Sequence, residues 1–455
     1  MILLYNTKIW GYSDNINSVV IKEDKIFYIG ELNKIPDGVY KKKINLKNKL
    51  LLPSFIDTHT HFSEYIKLKS QINFSKVNNI EQILKLINDY PKKVKGYGLN
   101  ISKFNKKDLD SIFKNIKRNP LLTMASSDYH SYLTTSIGLT DWPPKLPNNK
   151  EKLNNKDIKL AITELYKMGI TSIHEMAFTK EDFYLYDNIA KNLEVCRHFP
   201  LEMLDEIIKT NQKSYFGNEY LKLASLKLFY DGSIGSNTAL MFNSNSGKLN
   251  LKYKDLDKII EKALNNDISV SIHAIGDRGV DDIVNLFIKH KNNIKKFVRI
   301  EHAQTITDET IEKLETIKDK VYLSMQPLHI RDDYLTLKDM SIKDISFRFK
   351  SLKNMTIGFS SDVPVVEFNP FKAIYYAITH KLNKNEAITV KEAIDNYTIN
   401  AAKLSNSDKI KGSIEIGKFA NLALINDYSK YNESFWLNAK SYLTILRGRV
   451  LYIDL

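Results

Sequence analysis

The chain has a single cysteine, Cys196, in 455 residues. No internal disulfide can form, so a reducing cytoplasm is the expected compartment. The same scarcity excludes cysteine-based zinc sites and leaves histidine and oxygen as the ligands open to a metal. No apolar run approaches the roughly 18 to 20 residues that span a bilayer. The start, MILLYNTKIW, lacks a basic lead, a long apolar stretch and a small-residue cleavage site, and reads as a first strand. There is no internal repeat and no low-complexity linker. Lysine is what abounds: 67 basic against 53 acidic side chains give a formal charge of +14. The lysines are spread along the chain among Asn and Ile. Their densest clusters, YKKKINLKNK and YPKKVK, have no interleaved aromatics on which bases could stack. Neither a nucleic-acid partner nor a membrane is expected.

The two ends of the chain resemble each other. SVVIKEDKIFYIG alternates apolar and polar residues about a polar turn at Glu23–Asp24, a hairpin pattern. YLTILRGRVLYID repeats it with a turn near Arg447–Gly448, and FANLALIN adds a strand. These ends predict one small discontinuous β-sandwich domain, residues 1–52 with 406–455. The middle, 53–405, alternates short apolar strands with amphipathic helices. Candidate strands are LLPSFID, PLLTMAS, GITSIHEM, SLKLFYD, DISVSIHA, KFVRIEHA, KVYLSMQ and MTIGFSSD. Helical periodicity marks IEQILKLINDY, KDIKLAITELYKMG, KDLDKIIEKALNN and GVDDIVNLFIKHK. Eight strands with helices between them predict an α/β fold, a TIM-like (β/α)8 barrel.

The first of these strands ends in Asp57, His59 and His61, at alternate positions. Alternate residues of a strand share a face, and barrel active sites are built at the C-terminal ends of the strands. Two imidazoles at this spacing can converge on one metal ion, although His-x-His alone fits two satisfied core histidines equally well. Three further strand ends deliver His273, His302 and Asp362 to the same rim. Four coincidences of that kind point to a metal site. On the fourth candidate strand Lys227, Phe229 and Asp231 share a face. A buried lysine loses its proton more easily, and the neutral amine could take up carbon dioxide as a carbamate. A lysine paired with Asp231 or another acid is the competing reading.

Taken in order, the segments PSFIDTHTHF, SSDYHS, GITSIHEM, LKLFYDGSIGSNTAL, IHAIGDRG, RIEHAQ, MQPLH, GFSSDVPV, NPF, TINAA and GSIEIGKFANLALI resemble the amidohydrolase superfamily. More narrowly they resemble its YtcJ-like branch, which includes N-substituted formamide deformylases. The resemblance spans nearly the whole chain. It implies a barrel flanked by a β-sandwich, a metal centre usually of zinc, Lys227 as a carbamylated bridging ligand, and His130 near the substrate. Ser54 replaces a usual Gly and Asn421 a usual Asp, and the segment LTDWPPKLPNNKEKLNN is short for this branch, so substrate preference does not carry over. The reaction expected is hydrolysis of a non-peptide carbon–nitrogen bond of a small-molecule amide by a metal-activated hydroxide. His59, His61 and Asp362 would hold one zinc ion, His273 and His302 a second, with Lys227 between them. Asp362 would be the general base, and His130 would orient the substrate or steady the oxyanion, unless it is a plain surface histidine. Asp277, Gln326 and His329 are candidate substrate contacts, with supporting hydrogen-bond roles as the alternative. A one-metal deaminase of an amino-substituted ring and a non-catalytic metal-binding regulator remain as other readings. The sequence leaves room for a homo-oligomer.

Overall fold

The structure is a computed structural model. It describes residues 1–69, 71–74, 76–89, 95–99, 104, 107, 123–126, 131–134, 138–141, 153–244 and 247–455. Eight of its strands are β1 (Phe55–Thr60), β2 (Ile170–Met176), β3 (Glu194–Phe199), β4 (Leu221–Phe229), β5 (Val270–Ala274), β6 (Val298–His302), β7 (Val321–Met325) and β8 (Thr356–Phe359). Each pairs in parallel with the next. The chain beyond β8 returns to β1: Asp362 N donates to His59 O at 2.9 Å and His61 N to Val363 O at 2.7 Å. The result is a nearly closed TIM-like barrel, α/β in class. The intervening helices bury apolar stripes. In Tyr253–Asn265, for example, Leu256, Ile260, Ala263 and Leu264 are buried, one face at helical spacing.

One barrel strand differs from the sequence-based expectation. PLLTMAS does contain a strand, Thr123–Ser126, but it pairs with Lys95–Leu99 and Ser131–Thr134 in a separate sheet. The barrel position belongs to β3, EVCRHF, whose charges interrupt the apolar pattern. Both charges are satisfied by partners distant in sequence or on the outer face. Buried Glu194 meets Lys411 Nζ at 2.7 Å, and Arg197 reaches Phe183 O and Asp187. A local window cannot see either compensation.

The chain divides into two compact units, Met1–His61 with Ile162–Leu455, and Phe62–Ala161. The first holds the barrel and a seven-stranded mixed sheet made from both chain ends. Its strands, in spatial order, are Arg449–Ile453, Leu443–Leu446, Leu422–Ile425, Lys42–Pro53, Ile2–Ile9, Ser18–Lys22 and Lys25–Gly30. The sheet curls back on itself. Arg447 Nη2 lies 2.7 Å from Asp24 Oδ2, and a Cβ at Gly448, whose φ is +73°, would stand 2.2 Å from Glu23 O. Val19 and Ile21 therefore share one apolar core with Leu443 and Ile445. The second unit contains a five-stranded sheet, the helix Ile80–Asp89 and a small core that includes Ile72, Phe74, Ile83 and Leu99. Among the described residues no helix is long and apolar enough to cross a membrane.

Candidate metal centre

The C-terminal ends of the strands bring His59, His302 and Asp362 together, each offering one ligand atom within 4.8 Å of the others. His59 Nε2 is 3.4 Å and His61 Nε2 3.6 Å from Asp362 Oδ1. Simple alternation places His302 on the face opposite Glu301. Both end up inside because His302 and Ala303 have φ of +75° and +43°, which turns the chain as the strand ends. Asp362 likewise sits at φ +64°.

Each of these three imidazoles has its Nδ1 engaged. His59 Nδ1 lies 2.6 Å from Glu301 Oε2, His61 Nδ1 2.8 Å from Met176 O, and His302 Nδ1 2.8 Å from Gln326 Oε1. Oxygens of these kinds accept, so Nδ1 donates and the lone pair is left on Nε2. Among the described residues, His59 Nε2, Asp362 Oδ1 and Lys227 Nζ have no hydrogen-bond partner although all are buried. Burial pushes His61 down to about 3 and His59 and His302 well below the ordinary imidazole value, with the Lys227 charge adding to each. The imidazoles are thus neutral, the form that binds metals. Burial raises Asp362 to about 8 against the pull of Lys227, and lowers Lys227 to about 8 against that of Glu301 and Asp362. A cluster of neutral imidazoles and a carboxyl whose free atoms face inward suits a divalent cation.

The other residues singled out from the sequence are placed as follows. Lys227 is not paired with Asp231: its ammonium lies 4.4 Å from the Phe229 ring centroid. Asp231 instead accepts from Ile275 N, Gly276 N and Leu240 N. His273 reaches the same rim, its ring 4.5 Å from that of His302, but its Nε2 faces Gly232 O at 3.1 Å. Asp57 lies beside the cluster and accepts from Ser361 N. Gln326 holds His302 and also donates to Ser360 Oγ. His329 is near the centre, its Nε2 4.0 Å from Asp362 Oδ2. Asp277 accepts from Phe242 N and Arg278 N and so shapes the loop after β5. His174 points into the barrel, where its Nδ1 meets Arg299, while Glu175 turns to Thr60. His130 lies outside the described residues. Sequence reasoning missed Arg299 and Glu301, which alternate along β6 as Asp57 and His59 do along β1. It also missed Phe178, stacked at 4.1 Å on His61.

A parallel barrel with histidines and an aspartate gathered at its strand ends defines a class, the metal-dependent hydrolases. The comparison with known proteins names the family within it: the model described as "Amidohydrolase family" matches residues 42–452, and the chain belongs to that family. It is a hydrolase acting on carbon–nitrogen bonds. It is 24% identical to "Protein LONG AFTER FAR-RED 3" of Arabidopsis thaliana, over 96% of this chain and 88% of that one. It is 22% identical to "Putative amidohydrolase YtcJ" of Bacillus subtilis (strain 168), over 91% of each. An uncharacterized metal-dependent hydrolase of Pyrococcus horikoshii shares the fold. Its TM-score is 0.77 at 23% identity, with 95% of this chain and 99% of that one covered.

Proposed function

We propose that this hydrolase cleaves an amide-type bond of a small molecule with two zinc ions per chain. The observation that carries the reading is the set of buried atoms that have no hydrogen-bond partner among the described residues, His59 Nε2, Asp362 Oδ1 and Lys227 Nζ. Leaving such atoms unsatisfied costs about 1–3 kcal/mol each; a cation removes that cost for the imidazole and the carboxyl, and conversion of Lys227 to an anion removes it for the amine. His59, His61 and Asp362 would hold one ion, His302 and His273 the other. Lys227 would bridge them as a carbamate. The ammonium first releases one proton to solvent; the neutral amine then adds to carbon dioxide, an N–C bond forms as one C=O π bond opens, and a second proton leaves, so that an anion replaces a buried cation. When bound, the ions supply an acidified water and a Lewis acid for the scissile carbonyl. Asp362 takes the proton from the attacking water and returns it to the leaving nitrogen. His130 orients the substrate. His329, which burial lowers to about 4 and keeps neutral, would hydrogen-bond it, while Asp277 and Gln326 set the loop and the ligand ring. The test is metal analysis with a screen of N-formyl, N-acyl and cyclic amides on the zinc-loaded protein. Two ions per chain and release of amine and acid are expected; no turnover of any amide overturns the reading.

A one-metal deaminase of an amino-substituted ring is favoured by one observation, that His273 Nε2 is engaged by Gly232 O while the compact donor group is His59, His302 and Asp362. One ion per chain and ammonia release from such a ring would select it.

A further inference from the structure

We propose that Glu301 and Arg299 form a positioning relay that fixes the ring and tautomer of His59 for the cation, an inference that rests on the metal-centre reading above. Both side chains are fully buried. Glu301 Oε2 lies 2.6 Å from His59 Nδ1 and 3.0 Å from Arg299 Nη2, while Oε1 lies 2.8 Å from Arg299 Nε. Arg299 Nη2 thus donates to the same carboxylate oxygen that faces the imidazole, while Nε and Oε1 are held close as an ion pair.

Arg299 is itself held from several strands. Its Nη2 donates to Thr58 O at 2.7 Å, so it also clamps the backbone next to His59. Its Nη1 faces His174 Nδ1 at 2.8 Å and His198 Nε2 at 3.2 Å. A guanidinium only donates, so both of those nitrogens accept. His198 is then left to donate Nδ1–H to Ser225 Oγ, 2.7 Å away, which in turn meets Ser271 Oγ at 2.7 Å. One permanent cation, anchored by strands β1, β2, β3 and β6, thus sets two histidine tautomers directly and holds the carboxylate that sets a third, that of His59.

The candidate ligands differ in what holds them. His61 has a backbone carbonyl, His302 an amide oxygen and His273 the Gly232 carbonyl with Asp231 Oδ1 3.7 Å away, while His59 has a carboxylate at 2.6 Å. A carboxylate on one ring nitrogen makes the other a stronger donor. His59 is therefore the dominant ligand, aimed before any ion arrives.

The test compares zinc affinity, by competition with a chromophoric chelator, for wild type, Glu301→Gln and Glu301→Asp. Glu301→Gln puts an amide NH2 where one Arg299 or His59 contact needs an acceptor. Its zinc affinity should fall about ten- to a hundredfold and the visible bands of the cobalt-loaded protein should shift. Glu301→Asp keeps the charge and should recover part of the affinity. Wild-type affinity and unshifted bands in Glu301→Gln would overturn the relay. If the variants do not fold, the nitrogen-15 histidine spectrum of zinc-loaded wild type decides. A His59 proton on Nδ1 in a short hydrogen bond supports the relay; a proton on Nε2 overturns it. Failure of wild type to bind zinc would instead sink the metal-centre reading.

Discussion

Lys227 shows how a residue that is poor for stability can be good for chemistry. Its amine is buried, lies against an aromatic ring and has no hydrogen-bond partner among the described residues. Such a group destabilises the fold unless something else is bound to it. Lys227→Met keeps the apolar stem and removes the amine. In EDTA its melting point should exceed that of wild type, by the equivalent of about 1 kcal/mol or more, while its metal content falls. A variant that melts lower and keeps full metal would refute the bridging role. Asp362→Asn separates ligation from proton transfer. The amide oxygen can still face a cation but cannot take a proton, so turnover should fall about 10²-fold or more while much of the metal is retained; steady-state rates beside metal analysis check this. Most of the cluster was legible because His59, His61, His273, His302 and Asp362 all stand at strand ends. The Arg299–Glu301 pair was not, because a buried ion pair looks in sequence like two surface charges and only its partners across the barrel reveal it.

At the scale of the element, strands with plain apolar patterns, such as VYLSM and TIGF, were legible, as were the helices with apolar stripes. The failure was β3, where compensation of Glu194 by Lys411 and Asn421 comes from the far end of the chain. The same network gives Asn421 a physical reason. Its amide donates to both Glu194 oxygens at 3.1 Å, and an aspartate there would set a second carboxylate against the first. The loop after β5 depends on a different device. Gly276 approaches the backbone so closely that a Cβ would stand 2.1 Å from Leu240 O, and Asp231 pins Leu240, Ile275 and Gly276 together through their N–H groups. Gly276→Ala must push the 240 segment away and strain those bonds. A destabilisation of about 1–3 kcal/mol should appear in thermal melts, with reduced metal content because His273 lies on the same strand. An unchanged melting point would show that the segment yields freely.

For the whole molecule, the buried titratable groups set an opposed pair of pH dependences. His59, His61, His174, His198, His302 and His329 are lowered by burial. Once unfolded they bind protons near 6.5, so stability is lost as pH falls below that value. Asp57 and Asp231, raised by burial to about 7, and Asp362, raised to about 8, act in the other direction. The folded chain keeps their protons where the unfolded chain has released them. Their contribution is full below the ordinary carboxyl value of 3.8 and is lost as pH rises through 7 to 8. Above about 6.5 only the carboxyl trend remains, so the metal-free protein should lose stability between pH 6.5 and 8. Lys227, lowered to about 8 from 10.5, has a proton that the unfolded chain holds longer, and its penalty is relieved only above that range. Metal reverses the trend. Ligation requires Asp362 without its proton, so affinity rises with pH, and stabilisation by a fixed excess of zinc rises with affinity. Melts in EDTA and in excess zinc across pH 6 to 8 should therefore diverge, the first falling while the gap between them widens. A gap that stays constant would mean that no proton leaves the centre when metal enters, and Asp362 could then be neither ligand nor base.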